Sequence, residues 1–321
     1  MVVAGSEPTD RELVVTGRVA LAEAVTGLEL AAADRAELPA WQPGAHIDVL
    51  TDSGLVRQYS LCSDAAQRDR WRIAVLDEPA GRGGSSWITA HAGTGRRLAT
   101  RGPRNHFTLD PARRYVFVAG GVGITPIRAM IFEAESTGTA WELHYAGRSR
   151  ATMAFAEELV AGYPDRVRLY PGDEGARMDL PTVFAHPARG TLAYCCGPRR
   201  LLAGIDAAGT GWEAGAIRAE HFVPKQIGDL VRATEFEVEL LSSALTLTVP
   251  RDRSVLDVVE EHGVPVLSSC REGTCGTCET RVVSGEIEHR DSVLTPGEQA
   301  AGNAMMICVS RAAGPRLVLE L

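Results

Sequence analysis

The sequence predicts a multidomain protein of three units, an antiparallel β-barrel, an α/β domain built on a parallel sheet, and a smaller α+β domain. Three observations predict it. Short β-rich runs broken by turn residues fill the first hundred positions, continuous apolar runs alternate with helical stretches from Tyr115, and a period-two hairpin opens the last third at Glu235. At 321 residues the chain exceeds one core and suits units of roughly 100 residues each. The boundaries are drawn at 1–109, 110–226 and 227–321.

The barrel is predicted from runs such as Glu12-Leu-Val-Val-Thr16, Ala45-His-Ile-Asp-Val49 and Trp71-Arg-Ile-Ala-Val75, punctuated by Gly, Pro and Asp. Only residues 83–91 look helical there, with Ser85 as the expected N-cap. Tyr115-Val-Phe-Val-Ala119 is uniformly apolar, followed by a glycine turn and a helix over 126–135. That alternation means a parallel sheet buried on both faces. Segments 141–145, 167–170 and 191–195 are its further strands. A Pro, a Gly and mixed charge without periodicity between Phe222 and Ala233 mark a linker. Beyond it, 235–240 and 244–249 alternate strictly, and 254–262 is a capped amphipathic helix.

Composition excludes several classes. With 45% hydrophobic and 23% charged residues the chain is globular rather than disordered. It shows no signal-peptide pattern and no apolar run of about 18 residues, so no membrane role is expected and the expected location is cytoplasmic. Of the net charge of −8, residues 229–321 carry −7, from 8 Arg against 15 Asp and Glu. An acidic third repels nucleic acid and suits docking onto a basic protein surface, or simply keeps the chain soluble.

Seven cysteines are an odd number, and four of them fall from Cys270 onward. Cys270-Arg-Glu-Gly-Thr-Cys275-Gly-Thr-Cys278 has the C-x4-C-x2-C spacing of plant-type 2Fe-2S ferredoxins, with Cys308 as a distant fourth ligand. The loop must wrap three thiolates around one side of a compact cluster, and Gly273 and Gly276 permit the wrap. Structural zinc is the competing reading, but it ordinarily takes two C-x2-C knuckles and only one is present. Cys62 reads as an ordinary semi-buried residue.

Two further elements point to phosphate-bearing ligands. Ala119-Gly-Gly-Val-Gly-Ile-Thr-Pro126 joins a strand to a helix, the setting in which a glycine turn cradles a pyrophosphate. Tyr194-Cys-Cys-Gly-Pro198 ends a later strand, so Cys196, Gly197 and Pro198 belong at the same edge of the sheet. In the barrel, Arg57-Gln-Tyr-Ser60 sets a cation, a ring and a hydroxyl on one strand. Gly81-Arg-Gly-Gly-Ser-Ser86 opens its helix with Arg82 and several amides.

Together these motifs resemble the phthalate dioxygenase reductase family of the ferredoxin-NADP reductase-like superfamily, and vanillate demethylase reductase components are similar. The resemblance spans essentially the whole chain and its domain order. It implies a flavin barrel, a nicotinamide domain and a β-grasp ferredoxin domain. Arg57, Gln58, Tyr59 and Ser60 would hold the flavin, with Ser60 near its N5, and Ala74, Val75, Arg82, Gly84 and Ser85 would complete the pocket. Gly120, Gly121, Gly123, Thr125 and Pro126 would face the nucleotide. Cys196 would lie near the nicotinamide, and Glu220 and Phe222 near the flavin. FMN is preferred to FAD because no adenine platform is evident. NADH is preferred to NADPH, although Arg148 and Arg150 after the second strand of the sheet are candidates for a 2′-phosphate.

The implied activity is hydride transfer from NADH to FMN and release of single electrons through the 2Fe-2S cluster to a separate terminal oxygenase, Rieske type first and haem second. Ser60, Cys196 and Glu220 are the expected catalytic group, and Cys270, Cys275, Cys278 and Cys308 the metal ligands. The competing class is an iron-sulfur carrier or redox sensor without hydride-transfer activity.

Overall fold

The computed structural model describes residues 10–224 and 234–321. The boundary expected after residue 226 and most of the expected linker lie outside them. The chain divides into two compact units, Met1–Phe222 and Val223–Leu321, and the first contains two sheets.

The first sheet is formed by β1 (Asp10–Ala22), β2 (Val25–Ala32), β3 (His46–Leu50), β4 (Val56–Ser60), β5 (Trp71–Leu76) and, after helix α1 (Gly84–His91), β6 (Arg97–Arg104). Its order is β4-β3-β6-β1-β2-β5, antiparallel at every step. Just past β4 the Cys62 amide donates to the Arg72 carbonyl of β5 at 2.9 Å, which curls the two edges together. Alternate residues such as Val15, Leu30, Ile47, Val49 and Ile73 fill the barrel, and Ile88 of α1 joins them. The cap of α1 differs from expectation. Gly83, at φ 79°, is the N-cap, and Ser85 lies inside the helix. Its hydroxyl accepts instead from the Glu78 amide at 3.1 Å, so a tertiary partner outcompetes the helix end.

The second sheet follows the expected alternation with longer elements. It comprises β7 (Arg114–Gly120), α2 (Ile124–Ser136), β8 (Ala140–Gly147), α3 (Ala156–Gly162), β9 (Val167–Pro171), α4 (Leu180–Phe184), β10 (Thr191–Cys196), α5 (Arg199–Ala208) and β11 (Ile217–Glu220). The order β11-β10-β7-β8-β9 is parallel throughout. The chain winds outward from β7 through β8 to β9, then returns to start again at β10 on the other side. That reversal opens a crevice at the C-terminal ends of β7 and β10, where ligands of open α/β sheets bind.

In the second unit, the hairpin β12 (Phe236–Leu240) and β13 (Leu245–Val249) leads into α6 (Val255–Glu261). Ser254 caps α6 through a reciprocal box with Asp257. Strands β14 (Glu279–Ser284) and β15 (Ile287–Glu288), helix α7 (Pro296–Ala301), and strands β16 (Ala304–Met306), β17 (Arg311–Ala312) and β18 (Arg316–Leu319) follow. The main sheet runs β13-β12-β18-β14-β16, with β18 parallel to β12. The sheet wraps its apolar face around Val255, Leu256 and Val259 of α6, a β-grasp arrangement. Among the described residues no helix is long and apolar enough to cross a membrane.

Candidate functional site

At the switch point the glycine turn and the end of β10 meet backbone to backbone. A Cβ on Gly123 would lie 2.3 Å from the Cys196 carbonyl oxygen, and one on Gly120 would lie 2.6 Å from Pro198 Cδ. Only glycine allows this approach. The turn itself is firmly held. Thr125 Oγ1 donates to the Val122 carbonyl at 2.9 Å, and the buried Tyr145 hydroxyl donates to the Gly121 carbonyl at 3.1 Å. Thr125 and Pro126 sit buried in the first turn of α2. Thr125 spends its hydroxyl on that internal bond, leaving the turn's amides as the groups available to a phosphate.

Register sets Cys196 beside Glu220, because the two residues are partners in the β10–β11 pairing. Their Sγ and Oε2 atoms are 3.9 Å apart. Burial pushes the Cys196 thiol well above its ordinary range, and the Glu220 charge adds to the shift. Glu220 keeps some side-chain exposure, yet the protein packed around it raises its carboxyl to about 8. Two protonated, uncharged groups therefore stand side by side at neutral pH. Phe222, two residues on, is exposed at 41%.

In the barrel, strand alternation splits the Arg57–Ser60 segment. Gln58 pairs with Asp48 and Ser60 with His46, so these four side chains share one face of the sheet, while Arg57 and Tyr59 take the other. Gln58 Nε2 donates to Asp48 Oδ1 at 3.0 Å, and the fully buried Asp48 also meets Arg104 Nη2 at 2.6 Å. The Gln58 amide is thus a support for the strand. Tyr59 packs on the barrel core, and burial raises its phenol above the usual range. Arg57 Nη2 donates to the Arg82 carbonyl at 3.2 Å, and a Cβ on Gly84 would lie 2.5 Å from Arg57 Nε. This brings Arg57, Arg82 and the start of α1 together. Ser85 and Ser86 turn their hydroxyls to Glu78 and Asp77, and no side chain caps the helix amides. Those amides beside two guanidinium-bearing residues suit a phosphate. Ala74 and Val75 divide between faces: Ala74 packs toward the parallel-sheet core, Val75 into the barrel. Val75 is fully buried, so only its main chain can face a ligand. The Gly121–Gly123 turn packs against β5, which carries both.

The second unit gathers the four predicted ligands. Cys270, Cys275, Cys278 and Cys308 are all buried and none is in a disulfide. Cys270 is drawn well below the ordinary thiol range by the Cys275 and Cys308 thiols, and Cys278 is drawn down by Cys308. The amides of Glu272 and Thr274 donate to Cys270 Sγ at 3.3 and 3.4 Å, and Thr277 Oγ1 lies 3.1 Å from Cys275 Sγ. Among the described residues no three His, Cys, Asp or Glu side chains gather about one ion. Four buried cysteines, three of them in one loop at C-x4-C-x2-C spacing, fit a two-iron cluster, which divides its thiolates between two metals.

Two positions escaped sequence reading. Arg271 has φ 57° and ties the cysteine loop to α6, its Nη2 lying 2.9 Å from Asp257 Oδ1 and 2.7 Å from Glu260 Oε2. The i, i+3 spacing of those acids on one helix face was the available signal. Arg128, buried in α2, had no sequence signal beyond being a charge in an apolar helix. Cys62, expected to be semi-buried, is wholly buried, because the end of β4 is covered by α2.

Comparison with known proteins agrees with this geometry. Residues 238–313 match the model of the 2Fe-2S iron-sulfur cluster binding domain. The phenoxybenzoate dioxygenase subunit beta of Ectopseudomonas oleovorans is 42% identical over 304 residues, covering 94% of either chain. The structure of phthalate dioxygenase reductase, described as modular for electron transfer from pyridine nucleotides to [2Fe-2S], superposes with TM-score 0.71 at 34% identity, over 97% of this chain and 98% of that one. The chain belongs to the phthalate dioxygenase reductase family. An intact type IV self-sufficient cytochrome P450 monooxygenase also superposes, with TM-score 0.90 and 44% identity, over 97% of this chain and 41% of that one. The family and the multidomain fold expected from sequence are thus borne out, as is a reductase component with a 2Fe-2S domain.

Proposed function

We propose that this reductase takes a hydride from NADH onto FMN and passes electrons singly through its 2Fe-2S cluster to a separate terminal oxygenase. The observation that carries the reading is the glycine turn seated against Cys196 at the switch point, on a chain that also bears the four-cysteine loop. When bound, the flavin supplies the conversion of a two-electron donor into single electrons, and the cluster carries them one at a time.

The protein's own groups bind and orient. Arg57, Arg82, Gly84, Ser85 and the α1 amides take the flavin phosphate, Ser60 lies toward N5, and Tyr59 sets the strand against the ring. The Ala74 side chain and the Val75 main chain complete that pocket. Gly120, Gly121, Gly123, Thr125, Pro126, Gly197 and Pro198 receive the nucleotide. Cys196 and Glu220 put two neutral groups near the nicotinamide, where they orient the ring by contact and hydrogen bonding rather than by a fixed charge, and no residue acts as a nucleophile. Phe222 stands on the flavin side of Glu220. Cys270, Cys275, Cys278 and Cys308 hold the cluster.

NADH is favoured because Arg150, one of two cations suited to a 2′-phosphate, is already engaged by Glu174 through Nε at 2.6 Å and Nη2 at 3.2 Å. The acceptor docks on the acidic second unit. A Rieske oxygenase is the first reading of that acceptor. A haem monooxygenase is the second, favoured by the P450 match at TM-score 0.90.

An absorbance spectrum of the purified chain followed by anaerobic titration with NADH and NADPH tests the proposal. Flavin and cluster bands should both bleach, with less NADH than NADPH at equal extent. Cys275→Ser should retain flavin bleaching while cytochrome c reduction fails. A chain that contains cluster but binds no flavin would be a carrier or sensor, and the proposal would be wrong.

A further inference from the structure

Arg128 is a buried cation with partners on three sides. It lies on α2, five residues beyond Gly123, and is 6% exposed. Its Nε donates to Glu158 Oε1 of α3 at 3.1 Å, and Nη2 reaches the same oxygen. Its Nη1 donates to the Cys62 carbonyl, two residues past Ser60 in the barrel. The rings of Phe132 and Phe155 enclose the guanidinium, with centroids 4.6 and 4.5 Å from Cζ. Phe155 adopts φ 62°, a left-handed conformation that a bulky residue takes only when its surroundings impose it. A lysine could neither stack between two rings nor reach in two directions from one planar head.

The two ends of this contact matter. Arg128 extends α2, whose first turn carries the glycine turn proposed for the nucleotide, and helical geometry makes the intervening turn stiff. Cys62 continues the strand that carries Ser60, and its own amide and thiol both donate to the Arg72 carbonyl, at 2.9 and 3.3 Å. One guanidinium therefore bolts the start of the nucleotide helix to the flavin strand. Nothing in the binding of either ligand alone requires it. Hydride transfer requires donor and acceptor carbon and nitrogen within about 3–3.5 Å, and a shift of about 1 Å can cost about 100-fold in rate.

We propose that Arg128 is a positioning residue that sets the gap between nicotinamide and flavin. This rests on the hydride-transfer reading above. The experiment is stopped-flow reduction of the flavin-loaded chain by NADH, for wild type, Arg128→Met and Arg128→Lys. It is paired with calorimetric NAD⁺ binding and thermal unfolding of the apo chain.

Arg128→Met should lower the limiting rate about 100-fold, with half-saturating NADH and NAD⁺ affinity changed less than about threefold. Arg128→Lys, which keeps the charge but not the fork, should fall between. With 4-deuterated NADH the isotope effect should grow, because the chemical step becomes fully limiting. A merely structural residue would lower the unfolding temperature and flavin content yet leave the limiting rate of the loaded fraction within about threefold, and that result overturns the proposal. If Arg128→Met does not fold, Glu158→Gln and Phe155→Leu decide it. Each should slow reduction at unchanged NAD⁺ affinity, and unchanged rates in both overturn the proposal. Wild-type flavin that neither nucleotide reduces would defeat the hydride-transfer reading and this inference with it.

Discussion

Gly123 lies against Cys196 so closely that an added methyl would sit 2.3 Å from the Cys196 carbonyl oxygen and 2.5 Å from its carbon. Its own φ of −61° is ordinary for any residue, so the constraint is contact alone. Gly123→Ala should force the turn from β10, at about 1–3 kcal/mol of stability. The half-saturating NADH concentration should rise at least about tenfold while flavin content holds. Gly121 is the control. At φ 54° with open space around its α-carbon, Gly121→Asn should leave the stability of the fold nearly unchanged, since asparagine accepts the left-handed region. Thermal unfolding of the two variants separates crowding from backbone strain.

The cysteine loop presents the opposite case, a side chain that tolerates strain to make a contact. Arg271 accepts φ 57° and gains Asp257 and Glu260. Arg271→Ala keeps the strain and loses the pair, whereas Arg271→Gly loses the pair and relieves the strain. The glycine variant should be the more stable of the two by about 1 kcal/mol, the usual cost of a left-handed L-residue. Urea unfolding of the apo chain measures this. Both variants should release iron to a chelator faster than wild type, because the loop's tie to α6 is gone.

How much of this was readable beforehand follows from the range of each interaction. The C-x4-C-x2-C loop, the glycine turn and the β12–β13 hairpin are determined within a dozen residues, and their sequence patterns located them. Ser85 reads as a cap in the sequence, yet its hydroxyl is taken by the Glu78 amide across a loop, while Ser86 donates to Asp77. Arg150 looked available for a 2′-phosphate until the β8–β9 pairing brought Glu174 beside it. Arg128 is the extreme, since its partners Cys62 and Glu158 stand 66 and 30 residues away and it reads locally as an odd charge in an apolar helix. Long-range packing, unlike local spacing, leaves no pattern in a single sequence.

Glu220 gives the site a pH dependence of definite sign. Its carboxyl is raised from 4.5 to about 8 by burial, so the folded chain holds a proton that the unfolded chain releases. Folding stability from this group is therefore whole below about pH 4.5 and declines as pH rises toward about 8. Glu220→Gln should flatten the stability profile across that window, measured by thermal unfolding at several pH values. In flavin reduction, a limb with an apparent pKa near 8 should disappear in the same variant.

Docking should depend on salt in a way that tests the acidic second unit. Residues 229–321 carry a net charge of −7, and Glu279 adjoins the ligand Cys278 in sequence. Glu279 stands exposed on β14, and the protein packed beside it, with the nearby charges of Glu298 and Asp291, raises its carboxyl, so acids are grouped at this point. A basic acceptor such as cytochrome c should be reduced more slowly as ionic strength rises from about 10 mM to 0.3 M, because screening shortens the reach of the field to a few ångströms. Ferricyanide, an anion, should show the opposite trend. Glu279→Gln with Glu298→Gln should reduce the cytochrome c rate several-fold at low salt and leave it unchanged at high salt. Glutamine at 298 can still complete the capping box with Thr295, so α7 should persist. A rate indifferent to salt with both acceptors would mean that the acidic surface serves solubility alone and that partners dock elsewhere.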